Sequence, residues 1–223
     1  MIFTPTRLRD SVIIDVERRA DERGFLARIF CEEEFTRRGL TTRFVQASTI
    51  YTAQRDTLRG LHYQEAPHEE VKLVRCTRGA AYVAMVDLRP ESPTHRQWAG
   101  VELTPALGRL LYVPEGFAQG YQTLVDDTEV AYQMSHRFVP SAARGVRWDD
   151  PAFGIMWPGA RRRLISDRDQ AWPDYRGLGT WPGSARARGT DSEDLRLPVV
   201  LGPNPAVLEA QRALHVKPAN APE

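Results

Sequence analysis

Short apolar runs dominate the chain between residues 43 and 158, and their alternation is typical of β-strands. Val, Leu, Tyr and Ala fill residues 71–77 and 80–88, so Arg78-Gly79 between them predicts two strands joined by a tight turn. Further strands are expected at residues 98–104, 109–113, 119–124 and 129–138. Pro, Gly and Asp separate these runs, and strands of this length with regular turns predict a sandwich, jelly roll or barrel.

Two short segments are predicted to be helical. Residues 31–40 (CEEEFTRRGL) begin with acidic side chains and end with arginines and Gly39, an order that suits the helix dipole and a glycine stop. The sequence SDRDQAW begins at Ser166 with residues that cap a second short helix.

The composition changes after about Tyr175. Gly, Ser, Arg and Asp are enriched there, and few large apolar residues follow until residue 195. We therefore divide the chain into a folded domain at 1–175 and an extended C-terminal tail at 176–223, in which 205–216 could form a short amphipathic helix.

Charge and hydropathy exclude several classes of protein. The 223 residues carry 30 Lys and Arg against 29 Asp and Glu, a net charge of +1, which gives no reason to expect nucleic acid or an anionic membrane as a partner. We see no secretory signal and no stretch long and apolar enough to span a membrane, and we expect a cytoplasmic protein. Two cysteines, Cys31 and Cys76, do not make a disulfide framework, and we interpret both as small core residues.

Histidines in a β-jelly roll suggest a metal site. The chain has five histidines, none in a His-x-His pair, and only His62 and His68 with Glu69 and Glu70 form a loose cluster. We therefore expect no metal. Sequence patterns of serine hydrolases, dinucleotide-binding proteins and P-loop proteins are also missing.

Two polar side chains lie on predicted apolar strand faces. Lys72 shares its alternation face with Val74 and Cys76, so it is either a lysine whose head reaches water or a functional cation. Tyr132 likewise shares a face with apolar neighbours and is either a core tyrosine or a functional one. Spacing alone leaves both alternatives open.

A series of motifs makes the chain similar to a known family. Seven segments resemble, in order, those of the dTDP-4-dehydrorhamnose 3,5-epimerase family of nucleotide-sugar epimerases, and the resemblance extends from about residue 21 to Tyr175. The segments are RGLHYQ, KLVRCTRG, VDLRPESPT, YVPEGFAQGY, TEVAYQMS, RGVRWDDPAFGIMWP and ISDRD.

This resemblance implies an all-β fold, a cupin-type double-stranded β-helix jelly roll with a few short helices and without metal or other cofactor. It implies a homodimer that exchanges N-terminal strands, and a nucleoside-diphosphate sugar as substrate. The expected reaction is inversion at C3, C5 or both of an NDP-4-keto-6-deoxyhexose, through an enolate, by removal and return of a proton.

The resemblance also assigns catalytic roles. His62 would be the base, and Asp169 would orient and charge-support its imidazole. Tyr132 would be the acid on the other face of the sugar ring. Lys72 would stabilise the enolate oxygen.

Ligand-binding residues follow from the same motifs. Arg23 and Arg59 match arginines that contact the diphosphate, for which a guanidinium is well suited. Gln46 matches a polar contact near the base, and Phe138 matches an aromatic residue that stacks on the base. Gln119 and Arg168 are the remaining substrate-binding candidates.

Five positions depart from the family pattern. Arg28, Ala47 and Ala143 each replace a carboxylate, Gln119 replaces a histidine and Arg168 replaces a lysine. The pocket should therefore be more positive, and Gln119 can neither carry charge nor transfer a proton as histidine does.

Two other functions remain open from sequence. The first is a sugar-ketone isomerase, or a cyclisation or dehydration catalyst, on the same scaffold with a substrate that is not dTDP-linked. The second is a catalytically silent binding module, which fits poorly because His62, Lys72, Tyr132 and Asp169 are all present.

Overall fold

A computed structural model describes residues 1–177 and 200–201, and these residues form fifteen strands and two helices, numbered in chain order. A six-stranded sheet contains, in spatial order, β1 (Ile2–Pro5), β2 (Val12–Asp15), β10 (Arg109–Val113), β7 (Lys72–Arg78), β12 (Thr128–Met134) and β5 (Gln46–Thr52). A seven-stranded sheet contains β13 (Ala143–Gly145), β6 (Thr57–Gln64), β11 (Phe117–Thr123), β8 (Ala81–Asp87), β9 (Trp98–Leu103) and β15 (Val200–Leu201), with β14 (Leu164–Ile165) paired to β6.

The remaining elements lie outside these two sheets. Strands β3 (Arg18–Asp21) and β4 (Gly24–Ala27) form a separate two-stranded ribbon. The helices are α1 (Glu32–Thr36) and α2 (Asp167–Gln170). In the described part of the chain, no helix has both the length and the apolar character needed to cross a bilayer.

The two sheets enclose an apolar interior, as predicted for an all-β jelly roll. Alternating side chains of facing strands are buried there, because successive residues of a strand point to opposite faces. This inner cluster includes Val74, Cys76, Val83, Met85, Val101, Leu111 and Val130. Burial raises the pKa of the Cys76 thiol to about 11, so this cysteine is a core residue, as expected.

The outer faces of the sheets are covered unequally. Leu61, Trp98 and Phe153 belong to a cluster on the outer face of the seven-stranded sheet, which the segment after β13 covers. On the six-stranded sheet, Phe35 of α1 is fully buried against Leu110 and its neighbours. The rest of that outer face, along β5 and β12, has exposed or half-buried side chains.

The two strands and the tight turn predicted at Arg78-Gly79 are confirmed, but the turn does not close a hairpin. Strands β7 and β8 do follow each other closely, but β7 pairs with β10 and β12 in one sheet, while β8 pairs with β9 and β11 in the other. Gly79 has φ +73°, and a Cβ there would lie 2.5 Å from Thr128 Oγ1, so this glycine turns the chain from one sheet to the other. A turn sequence alone does not distinguish these two connections.

Two predicted elements are shorter than expected. The strand expected at 129–138 ends at Met134, because Ser135 donates its amide to Val71 O and the chain then leaves the ladder. The helix expected at 31–40 spans only Glu32–Thr36, and Gly39 follows with φ +67°. The helix at Ser166 is confirmed as α2, whereas the tail helix expected at 205–216 lies outside the described residues.

Two glycines bring β6 and β11 unusually close. Gly60 has φ +116°, and a Cβ on it would lie 2.6 Å from Gly120 Cα. A Cβ on Gly120 would in turn lie 2.7 Å from Arg59 O. This approach sets the register in which His62 faces Gln119.

The substitution Gly60→Ala should therefore reduce the free energy of unfolding by at least about 2 kcal/mol, because a methyl group meets backbone and the positive φ is strained. Denaturant unfolding measures this loss. The matched control is Gly159→Ala, since a Cβ there has no neighbour within 4 Å. Equal stability of the two variants would contradict the close approach.

Candidate active site

The imidazole of His62 is hydrogen-bonded to the carboxylate of Asp169. The distance from Nε2 to Oδ1 is 2.6 Å, and the side chain of Asp169 is 6% exposed whereas that of His62 is 45% exposed. Leu61 and Tyr63 pack in the outer cluster, so alternation directs His62 to the inner side of the sheet. The pair thus has a buried acid behind a histidine that a ligand can reach.

Helix α2 and strand β6 fix the position of Asp169. Its amide donates to the capping Ser166 Oγ at 3.2 Å, and Gly60 N donates to its Oδ2 at 3.2 Å. Burial alone raises the pKa of this carboxyl, but the hydrogen bond and charge of His62, with the Gly60 and Ser166 contacts, outweigh burial and lower the pKa. An ionised carboxylate only accepts, so Nε2–H donates to it and Nδ1 of a neutral imidazole is free to take a proton.

Lys72 is buried at the inner side of β7. This position rules out the alternative of a lysine whose head reaches water. Its Nζ donates to the backbone oxygen of His62 at 3.1 Å and is 2.9 Å from Glu70 Oε1. The residue is 8% exposed. An ammonium group from the six-stranded sheet therefore lies directly beside the histidine of the seven-stranded sheet.

Tyr132 is close to Lys72 on the same inner face. The register pairs Tyr132 with Val74 and Met134 with Lys72, so Tyr132 and Lys72 are diagonal neighbours with Cα atoms about 7–8 Å apart. Tyr132 packs against the inner cluster and is half-buried. No described residue hydrogen-bonds its hydroxyl, which leaves the hydroxyl available to a ligand.

Four of the predicted ligand-binding residues lie on the strands that form this site or just after them. Gln119 on β11 is the partner of His62 in the ladder. Arg59 on β6 donates from Nε to Thr52 Oγ1 at 3.2 Å. Gln46 at the start of β5 accepts from the amide of Phe138 at 2.9 Å, and Phe138 is 50% exposed.

The two other predicted binding residues point elsewhere. Arg23 lies at the turn of the β3–β4 ribbon, is 84% exposed and pairs with Asp21 at 2.6 Å. Within the described chain, this arginine contacts no member of the His62 site. Arg168 adjoins Asp169 in sequence, but its guanidinium lies 5.4 Å from the centre of the Trp172 ring.

The positions that depart from the family pattern are spread over the fold. The Arg28 guanidinium is 3.6 Å from Glu34 Oε1 and 65% exposed. Ala47 lies on β5, and Ala143 pairs with Gln64 at the edge of the seven-stranded sheet.

Sequence reasoning missed two residues of the site. Gly60 supplies an amide to Asp169, and Glu70 is the ion-pair partner of Lys72. Glu70 lies just before the first residue of β7, and its sequence signal was only its place in the loose cluster with His62, His68 and Glu69. The described residues contain no group of three or more His, Cys, Asp or Glu that could hold a metal.

Comparisons with known proteins agree on one family. The family model described as dTDP-4-dehydrorhamnose 3,5-epimerase matches residues 5–176. A dTDP-4-dehydrorhamnose 3,5-epimerase of Sinorhizobium fredii is 38% identical over 78% of this chain and 89% of its own length.

Solved structures give the same result. The dTDP-4-dehydrorhamnose 3,5-epimerase of Bacillus anthracis, with TDP and PPi bound, has a TM-score of 0.75 and 35% identity over 78% of this chain and 99% of its own. A 4-keto-6-deoxy sugar epimerase from the novobiocin biosynthetic gene cluster of Streptomyces spheroides has a TM-score of 0.74 and 32% identity over 78% and 87% of the two chains.

The lowered pKa of Asp169 predicts a pH-dependent stability. A depressed carboxyl pKa stabilises the fold above the ordinary value of 3.8, and this stabilisation is lost as the pH falls through the lower folded value. Asp169→Asn should thus cost about 1.5–3 kcal/mol near neutral pH, with a difference from the parent protein that shrinks in acid.

Denaturant unfolding of both proteins at a series of pH values measures that difference. Asp167→Asn is the matched control, since Asp167 is an exposed residue of the same helix. A cost of Asp169→Asn that does not change with pH would contradict the ionised, paired state of this carboxylate.

Proposed function

The chain belongs to the dTDP-4-dehydrorhamnose 3,5-epimerase family, and we propose that His62, Asp169, Lys72 and Tyr132 carry out its reaction. The enzyme is an isomerase that epimerises a nucleotide-linked 4-keto-6-deoxyhexose. The observation that carries our assignment of residues is the 2.6 Å hydrogen bond between the half-exposed His62 and the buried Asp169.

The chemistry requires a base and an acid on opposite faces of the sugar. A 4-ketone acidifies the C–H bonds at C3 and C5, so a base can remove one of these protons and leave an enolate. Return of a proton to the other face inverts the carbon. His62 and Tyr132 suit these roles, because β6 and β12 belong to opposite sheets and each presents its residue to the space between them.

Asp169 and Lys72 stabilise the charges that develop during the reaction. Asp169 holds the His62 tautomer that leaves Nδ1 as base, and its negative charge stabilises the imidazolium that forms. Lys72 places an ammonium beside His62, where it would stabilise the oxygen of the enolate. No step in this scheme requires a cofactor.

We propose a dTDP-linked sugar as the substrate, in line with the TDP-bound relative. Arg59 would bind the diphosphate, and the exposed ring of Phe138 beside Gln46 would stack on the base. The alternative of a cyclisation, dehydration or ketone-isomerising enzyme has no support in the relatives, which are epimerases.

Neither carbon can be singled out by the base alone, since the ketone acidifies both. Gln119 faces His62 in the ladder, where its amide can orient a sugar hydroxyl but cannot relay a proton. We therefore propose inversion at C3, C5 or both, with Gln119 as the position that influences the second inversion.

We further propose that the enzyme is a homodimer. The β3–β4 ribbon exposes Phe25 and Leu26 by 57% and 73%, although monomers rarely leave such neighbouring side chains in water. A groove of about 480 Å³ that includes Ile29 and Ala131 runs along the outer face of the six-stranded sheet. Exchange of ribbons between two such faces would cover both.

We propose a cytoplasmic location for this dimer. Cys31 and Cys76 are both free thiols, as is usual in a reducing compartment.

Substitution of the base and of the acid should have different effects on isotope exchange. His62→Ala should lower kcat by about 10²–10⁴-fold and abolish deuterium uptake from heavy water into dTDP-4-keto-6-deoxyglucose. Tyr132→Phe should still take up deuterium but form far less epimer, because the proton is removed and not returned to the far face. Mass spectrometry and NMR measure the two outcomes.

A histidine elsewhere provides the control for this experiment. His95→Ala alters a loop residue bonded to Tyr175 and should leave exchange unchanged. An active His62→Ala enzyme would show that the base is misassigned.

Leu26→Asp should convert the dimer to a monomer of 25.3 kDa, because a carboxylate cannot be buried unpaired in an apolar interface. Size-exclusion chromatography with light scattering measures the mass. Val125→Asp alters another exposed apolar residue and should leave the dimer intact. A parent protein that is itself monomeric would refute the proposed assembly.

A further inference from the structure

Glu70 is a buried acid next to the site that the proposed mechanism does not use. The residue is 6% exposed, and its Oε1 is 2.9 Å from Lys72 Nζ. Its second oxygen, Oε2, is buried without a hydrogen-bond partner among the described residues. The preceding Glu69 is less buried.

Stability does not explain this arrangement. A buried ion pair loses much of its attraction to the cost of removing two charges from water, and apolar residues of similar size are often as stable in its place. The unpaired Oε2 adds a further cost. A carboxylate retained in such a position is therefore better explained by what it does to Lys72.

The geometry of the ammonium shows what that effect is. An ammonium has three N–H groups in fixed tetrahedral directions. Lys72 uses one toward Glu70 Oε1 at 2.9 Å and another toward His62 O at 3.1 Å. Two occupied directions fix the third, and the third N–H group has no partner among the described residues.

We propose that Glu70 is a positioning residue that aims the third N–H group of Lys72 at the ketone oxygen of the substrate. This inference rests on the proposed role of Lys72 in stabilising the enolate. A donor that is already oriented needs no rearrangement when charge develops on the oxygen, and such preorganisation is the basis of oxyanion stabilisation. In this proposal Glu70 acts through Lys72 and is not itself a catalytic residue.

Replacement of the carboxylate by groups that can or cannot accept a hydrogen bond tests the proposal. Glu70→Leu removes the acceptor and keeps the volume, so kcat for dTDP-4-keto-6-deoxyglucose should fall at least about tenfold with KM nearly unchanged. Glu70→Gln keeps an acceptor oxygen and should retain kcat within about threefold. Glu69→Leu is the matched control and should behave as the parent enzyme.

A double-mutant cycle shows whether Glu70 acts through Lys72. Lys72→Ala should lower kcat by about 10²–10³-fold, and addition of Glu70→Leu to that variant should cause no further loss. Losses that multiply in the double variant would overturn the proposal, and so would a Glu70→Gln enzyme as slow as Glu70→Leu. Where Glu70→Leu does not fold, as judged by circular dichroism, the Glu70→Gln result and Glu70→Ala decide the matter.

The same measurements distinguish a failure of the positioning role of Glu70 from a failure of the proposed role of Lys72. Full activity of Lys72→Ala would refute the proposed role of the lysine. Impaired Lys72→Ala with an unimpaired Glu70→Leu would leave that role intact and refute only the positioning by Glu70.

Discussion

The hydrogen bond between His62 and Asp169 joins residues that are 107 positions apart in the chain. Strand β14 pairs with β6, and α2 begins at Asp167 behind the capping Ser166, so the helix presents its acid to the strand. The amide of Gly60 completes the cradle of the carboxylate. The pairing of β14, the cap of α2 and the amide of Gly60 together hold the buried, ionised carboxylate of Asp169 behind the imidazole of His62.

Periodicity in the sequence located most central strands, because an apolar face must be buried whatever the neighbouring strands are. It could not assign partners: Arg78-Gly79 connects two sheets and not two strands of a hairpin, since the pairing of β7 depends on β10 and β12 far along the chain. The shorter β12 has the same kind of cause, as the bond from Ser135 to Val71 is invisible in a local pattern.

The residues of the site, like the strands, could be predicted only in part. Alternation left Lys72 undecided between surface and site, and only the family motifs favoured the site; the structure buries it beside His62. Glu70 was missed, because its importance lies in a partner and not in a motif. Arg23 matches a diphosphate-binding arginine, yet it lies on an exposed ribbon and pairs with Asp21.

The contact of Lys72 with the backbone of His62 spans the gap between the two sheets. The ammonium to which we assign a catalytic role is thus also a hydrogen-bonded link between the two sheets. Lys72 therefore cannot be exchanged freely when the enzyme is redesigned for other ketones, because removal of the ammonium also removes this link. A redesigned enzyme would need another hydrogen bond or contact between the two sheets before the lysine could be replaced.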